Sequence, residues 1–237
     1  MLTFSYFLST FVEIAGIWIL FDRFKVVSGW TFNEVAIIYG IIHMGFSLAE
    51  SSARGFDTFG NVIKNGDFDR LLLRPCSTLL QVASREFAFL RFGRFFQGLL
   101  VLTYGIYHTE FANVALSYAM IGFAVIGTAC LFYGLIVIQA TVAFWTIETL
   151  EVMNITTFGG LEAGQYPMSI YNWKFRFLFT YIIPLACVGY YPVAILLGHE
   201  PLPLIFGLLA PFAGIVFLLL ACKFWKYGVV HYQSTGS

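Results

Sequence analysis

The sequence predicts an all-α, polytopic transmembrane helical bundle of about six spans, with a cytoplasmic amphipathic helix between the second and third. Three observations predict it. Hydrophobic residues make up 59% of the chain and charged residues 11%, too little charge to cover a soluble surface. Several apolar runs reach the roughly 18–20 residues that a helix needs to cross a bilayer. Those runs are continuous and do not alternate with a period of two, which favours helices over a β-barrel.

The spans fall near residues 3–21, 33–53, 88–107, 113–146, 174–197 and 203–224. The first lacks a basic stretch and a small-residue cleavage site, so it reads as a retained helix. The fourth has no charged side chain from Ala112 to Ile147 and reads either as one long helix or as two short ones. As one helix it leaves residues 147–173 on the side of the second linker; as two it moves "YPMSIY" (166–171) across. That linker, with the start of the third span, carries Arg54, Lys64, Arg70, Arg74, Arg85, Arg91 and Arg94, over half of the 13 basic residues. Basic residues concentrate on the cytoplasmic side, which places the linker and, with an even number of spans, both termini inside. Lys223, Lys226, Lys174 and Arg176 fit this reading, while Arg23 and Lys25 fall outside.

No linker is long enough for a separate soluble domain, so residues 1–237 read as one membrane domain. The net charge is zero, which gives nucleic acid no reason to bind. Cys76, Cys130, Cys187 and Cys222 are widely spaced and read as apolar fillers.

Chemistry-bearing motifs are scarce. "GFDTFGNV" (55–62) has the glycines of a phosphate loop without its Lys and Ser/Thr, so this chain is not expected to bind ATP. His199-Glu200 would open a zinc motif, but Pro203 stands where the second His belongs. No nucleophile–base constellation appears, so no enzyme is expected and neither a metal nor a cofactor. Glu13 falls inside the first span, where a lone carboxylate costs roughly 2.5–3.5 kcal/mol on insertion scales; it must face a partner helix or a wet cavity. Gln97 and Gln139 read as polar glue between helices. Glu148 and Glu151 follow the fourth span, at a portal or a solvated helix end. Glu13, Gln97, Gln139 and Glu148 are the candidate lining of a substrate path. Tyr166, Tyr171, Trp173, Tyr190 and Tyr191 suit an aromatic belt.

The most charged stretch is "NGDFDRLLLRPCSTLL" (65–80). Asn65-Gly66 signals a turn and Asp67 an N-cap. Phe68, Leu71 and Leu72 follow at helical spacing, with Asp69, Arg70 and Leu73 around them. Pro75 ends the helix and holds Arg74 out of the α region. The result is a short, bent amphipathic element that can lie on headgroups or dock in a partner's groove.

"IKNGDFDRLLLRPCSTLLQV" (63–82) resembles the signature of a bacterial branch of the ABC-2 transporter permeases, which carry a G-x-x-D-R-L-L-x-R-P type segment. "GWTFNEVAIIYG" (29–40), "YPMSIY" (166–171), "IIPLACVGYYPVAILLG" (182–198) and "YQSTGS" (232–237) resemble the same family in order. Members usually carry some two dozen further residues before the first span; here the sequence starts almost at the membrane, so either an N-terminal elbow helix is absent or the start is misassigned. The resemblance implies a permease subunit of an ATP-driven exporter in the bacterial cytoplasmic membrane. It implies pairing with a second permease, identical or related, and with two copies of a separate ATPase that holds ATP and Mg. A coupling helix between the second and third spans docks on that ATPase. Residues 67–75 are its candidate here: Asp67, Asp69, Arg70 and Arg74 as polar contacts, Phe68, Leu71, Leu72 and Leu73 as apolar anchors, and Pro75 as the bend. It also implies a proline-broken re-entrant element before the last span, near Pro184 and Pro192. The alternative is a scaffold or channel subunit that uses the same helix for assembly.

Overall fold

The computed structural model describes residues 2–146 and 150–233. Helix α1 (Leu2–Phe24) leads through a two-stranded hairpin, β1 (Val26–Val27) and β2 (Trp30–Thr31), into α2 (Phe32–Ser52). Ser28 and Gly29, at φ 50° and 87°, supply the positive φ pair that a two-residue hairpin turn requires. The Thr31 backbone N–H donates to the Glu34 carboxylate at 2.8 Å and satisfies one free donor where α2 begins. From Val35 to Ser47 every side chain of α2 is buried, so this helix is the central post of the bundle.

Four short helices connect α2 to its neighbour: α3 (Arg54–Asp57), α4 (Phe59–Lys64), α5 (Phe68–Leu72) and α6 (Thr78–Ala83). A 3₁₀ turn at Phe89–Arg91 then opens α7 (Phe92–Tyr107), which runs antiparallel to α2. Gly105 packs on the Asn33 carbonyl and Ile37, and Gly98 on His43 and Met44. At the other end Ser47 Oγ donates to the Arg91 carbonyl at 2.7 Å. Glycine at these crossings lets the backbones approach closely, which is how helices associate where no hydrophobic effect separates them from lipid.

Helix α8 (Val114–Val142) starts at Asn113, whose side chain accepts the Leu116 N–H at 3.1 Å. It runs in the same direction as α2; the Phe46 and Phe132 rings meet edge to face at 4.9 Å. Helix α12 (Leu204–Leu209) breaks at Pro211 before α13 (Phe212–Val230), which lies parallel to α8. A side chain at Gly214 would collide with the Gly127 carbonyl, and one at Gly228 with Thr141 and Phe144. Helices α2, α8 and α13 thus all end at the end of the bundle that carries α3–α6, here called the hook end.

The count of six spans is not confirmed. Among the described residues three stretches are long and apolar enough to cross a membrane, Phe32–Ser52, Val114–Val142 and Leu204–Val230. The expected fifth span is a bent pair, Trp173–Ile182 and Ala186–Leu196, meeting at 85°. It comprises α10 (Trp173–Phe177), π turns at Leu178–Ile182 and Ala186–Tyr190, and α11 (Tyr191–Leu196). Pro184, which has no N–H to give a helix, stands at the bend. Counted as one span, the pair would make a fourth.

The fourth apolar run is a single helix, and yet "YPMSIY" does not stay at the hook end. Helix α9 (Leu150–Gly164) climbs back beside α2. Phe158 meets Phe46 at 5.6 Å, Gly164 lies against Ile42, and Gln165 bonds His43. The expectation that residues 147–173 share the side of the hook is therefore corrected. Residues 186–196 continue the climb, with Gly189 on Ile42 and the Tyr190 ring 5.7 Å from Trp30. Arg176 lies 3.9 Å from Glu200 at that far end, so Lys174 and Arg176 join Arg23 and Lys25 away from the hook. Every other basic residue lies toward the hook end.

Candidate functional site

The hook is built on an aromatic cluster. Phe68 is fully buried, with its ring centroid 5.5 Å from Phe59, 5.2 Å from Phe144 and 4.9 Å from Tyr232. Trp225 sits 4.8 Å from Phe59 and donates its indole N–H to Thr78 Oγ1 at 3.1 Å. One ring set thus joins α4, α5, the end of α8 and the end of α13. Such pairs contribute about 0.5–1.5 kcal/mol each beyond burial.

The backbone is folded on that base. Gly66, at φ 70°, makes the turn, and the Asp67 N–H reaches the Val62 carbonyl at 3.0 Å. The Gln81 side-chain amide donates to the carbonyls of Leu71 at 3.0 Å and Cys76 at 2.8 Å, drawing 71–76 into a tight loop. A side chain at Gly55 would meet the Val82 carbonyl, so α3 and α6 pack backbone to backbone.

These contacts divide the candidate coupling residues. Phe68 and Leu71 are buried in the chain's own core, so they are not available as anchors for a partner. Leu72 and Leu73 point outward, 44% and 86% exposed, and Arg74, Pro75, Cys76 and Ser77 are exposed with them. Asp67 and Arg70 approach to 3.8 Å at the surface, a geometry of little energetic consequence. A polar hollow of about 360 Å³ between Asp67, Arg70, Arg74, Gln81 and Arg85 adjoins them.

Behind the hook lies a cluster that the sequence did not reveal. Glu50, at the end of α2, takes Arg91 at 2.6 Å and Arg94 at 3.3 Å, its own side chain only 5% exposed. The Arg94 guanidinium also stands 5.2 Å over the Phe46 ring. One turn further, Arg54 bonds Asp57 at 3.1 Å and lies 3.9 Å from Glu86. Burial pushes the Asp57 carboxyl above its ordinary value, and Arg54 pulls it the other way. Together these pairs close both ends of the hook segment. The signal was present: Arg91 and Arg94 lie one turn apart in an apolar run, where unpaired cations are costly.

The candidate path residues do not form one site. Gln97 donates to the Tyr39 hydroxyl at 3.1 Å and lines an apolar groove of about 430 Å³ with Ile14, Trp18 and Tyr104. Glu13, in α1, lies within electrostatic reach of Glu162 and Arg94. Gln139 lines a different cavity, of about 270 Å³, with Glu50, Arg54, Asp57 and Thr157. Glu148 and residues 234–237 of the terminal motif lie outside the described residues. At the far end His199 pairs with Glu34 at 3.1 Å and Tyr190 donates to Glu200 at 2.9 Å. Among the described residues no group of His, Cys, Asp and Glu is placed to hold a metal.

A bundle of long apolar helices with glycine crossings and buried charge clasps defines a multi-pass membrane protein. The family model of the ABC-2 family transporter proteins matches residues 7–236, and the chain belongs to that family. It is accordingly the non-catalytic, membrane-spanning permease of an ABC transporter. Among curated proteins and among solved structures, none matches the chain.

Proposed function

We propose that this permease is half of an exporter and that the exposed tip of the hook, Leu72 to Pro75 with Arg70, docks on a separate ATPase subunit. What supports the reading is the division of one short helix between two jobs. Phe68 and Leu71 tie it to the bundle, and Leu72 and Leu73 stand out beside Arg70 and Arg74. An exposed apolar pair flanked by cations on a stiff mount suits a groove in a partner protein. Two ATPase copies hold ATP and Mg, and their closure pushes on two hooks, one from each permease of a pair. The push reaches α8 and α13 through the ring cluster and α2 and α7 through Glu50, rocking the bundles between inward- and outward-open states. The hook end then faces the cytoplasm of a bacterial cell, with both termini on that side. The cargo is amphipathic, lipid-like, peptide or drug-like, and moves between the paired permeases.

The test is co-purification in mild detergent. Wild-type permease retains a stoichiometric nucleotide-binding subunit. Replacing Leu72, Leu73 and Arg74 with Ser releases it while the permease stays folded. An intact complex after that triple change overturns the docking assignment, and absence of any ATPase from the wild type favours a scaffold or channel subunit.

A further inference from the structure

The segment between α6 and α7 carries a second surface, independent of the ATPase reading. Phe87, Phe89 and Leu90 are 49%, 75% and 45% exposed, although Arg91 and Arg94 beside them turn inward to Glu50. Arg85 and Glu86 stay at the surface, but the two arginines next to the rings are spent inside the protein and the rings face out. The Phe87 and Phe89 rings lie 4.8 Å apart. Their depth is fixed by α2: the Ala88 N–H reaches the Ser51 carbonyl at 3.0 Å, so they stand level with the last turn of a membrane-spanning helix. That is the headgroup boundary, where aromatic rings are favoured.

Beneath them opens a groove of about 320 Å³ between α2, α8 and α13, lined by Leu48, Phe87, Phe92, Cys130, Tyr133 and Leu218. Among the described residues no charged side chain lines it. Beside Leu218, α13 presents Leu219 and Leu220, 59% and 57% exposed, so the groove is continuous with the hydrocarbon-facing side of the bundle. Its volume is at the low end of small-molecule sites. It fits a length of one alkyl chain and is too small for a folded protein segment.

We propose that this groove holds one acyl chain of a membrane phospholipid, and that Phe87, Phe89 and Leu90 sit in the bilayer interface over it. The root of the hook is then fastened to the bilayer on one side and to Glu50 on the other, and the exposed tip moves against a fixed base.

The experiment uses the full chain in nanodiscs of phosphatidylethanolamine and phosphatidylglycerol. With Phe87→p-benzoylphenylalanine, irradiation yields a permease carrying one phospholipid mass; a cross-link to a protein chain, or no lipid adduct, overturns the proposal. Native mass spectrometry supplies the second measurement. Leu218→Trp, which fills the groove, loses the retained phospholipid, whereas Leu219→Trp, on the open face, keeps it. Equal lipid retention by wild type and both variants overturns the groove assignment.

Discussion

The rings of Phe68 and Tyr232 meet edge to face with centroids 4.9 Å apart, so the chain just beyond the last membrane helix closes over the base of the hook. Two residues far apart in sequence thereby share one load. Displacing α5 must displace the end of α13 as well.

From this follows a contrast within one helix. Phe68→Ala empties a fully buried site and costs about 3–5 kcal/mol, read as a lower melting temperature in detergent. Leu73→Ala, on the surface, changes stability by less than about 0.5 kcal/mol. Its expected effect is on ATPase retention alone.

Glu50→Gln leaves Arg91 and Arg94 without their buried carboxylate. Breaking a buried ion pair by removing one partner costs about 3–5 kcal/mol. Limited proteolysis across residues 53–91 is the readout, and the variant is cut faster there than the wild type. Unchanged cutting would mean that the clasp does not hold the root of the hook.

Thr78→Val deletes the acceptor for the Trp225 indole N–H. Leaving a buried donor unsatisfied costs about 1–3 kcal/mol. Near-ultraviolet circular dichroism of the tryptophan band reports the loss locally, and Thr78→Ser restores it.

Gly214→Val drives a side chain into the Gly127 carbonyl. Over-packing costs about 1–3 kcal/mol, and here α8 and α13 must separate. The expected result is poor yield of a monodisperse permease in size-exclusion chromatography, with Val216→Ala, on the exposed face of the same helix, as the unaffected control.

Asp57 gives a pH dependence. Its folded carboxyl holds a proton more tightly than the ordinary value of 3.8 allows in the unfolded chain. Ionised Asp57 therefore works against the fold at neutral pH, and the handicap is relieved as pH falls through its raised value. The stability difference between Asp57→Asn and wild type is largest at neutral pH and shrinks on acidification. A difference that grows on acidification would refute the burial argument.

The sequence made the membrane class, the second span and the hook legible, because long apolar runs and an Asn-Gly turn ahead of a proline act locally, but not that the second span is the central post. It hid whatever depends on distant pairing. Phe68 and Leu72 share a face at helical spacing, and only Phe144 and Tyr232, brought up by α8 and α13, turn Phe68 inward while Leu72 stays exposed. Glu151, Glu162 and paired glycines dilute the hydropathy of α9, so no span is predicted there, yet its place beside α2 carries "YPMSIY" away from the hook. Glu50 and Arg91 are 41 positions apart in sequence, so their clasp left no local pattern.

The shared direction of α2, α8 and α13 has an electrical consequence. Each helix carries partial negative charge at its carbonyl end, equivalent to roughly half an elementary charge, and three such ends gather under the hook. Arg91 and Arg94 at Glu50, with Lys223 and Lys226 near the close of α13, bring positive charge to that same end. The starts of α1, α7 and α9 lie at that same end with the opposite partial charge, so the backbone dipoles largely offset one another and the basic side chains set the sign of the field there.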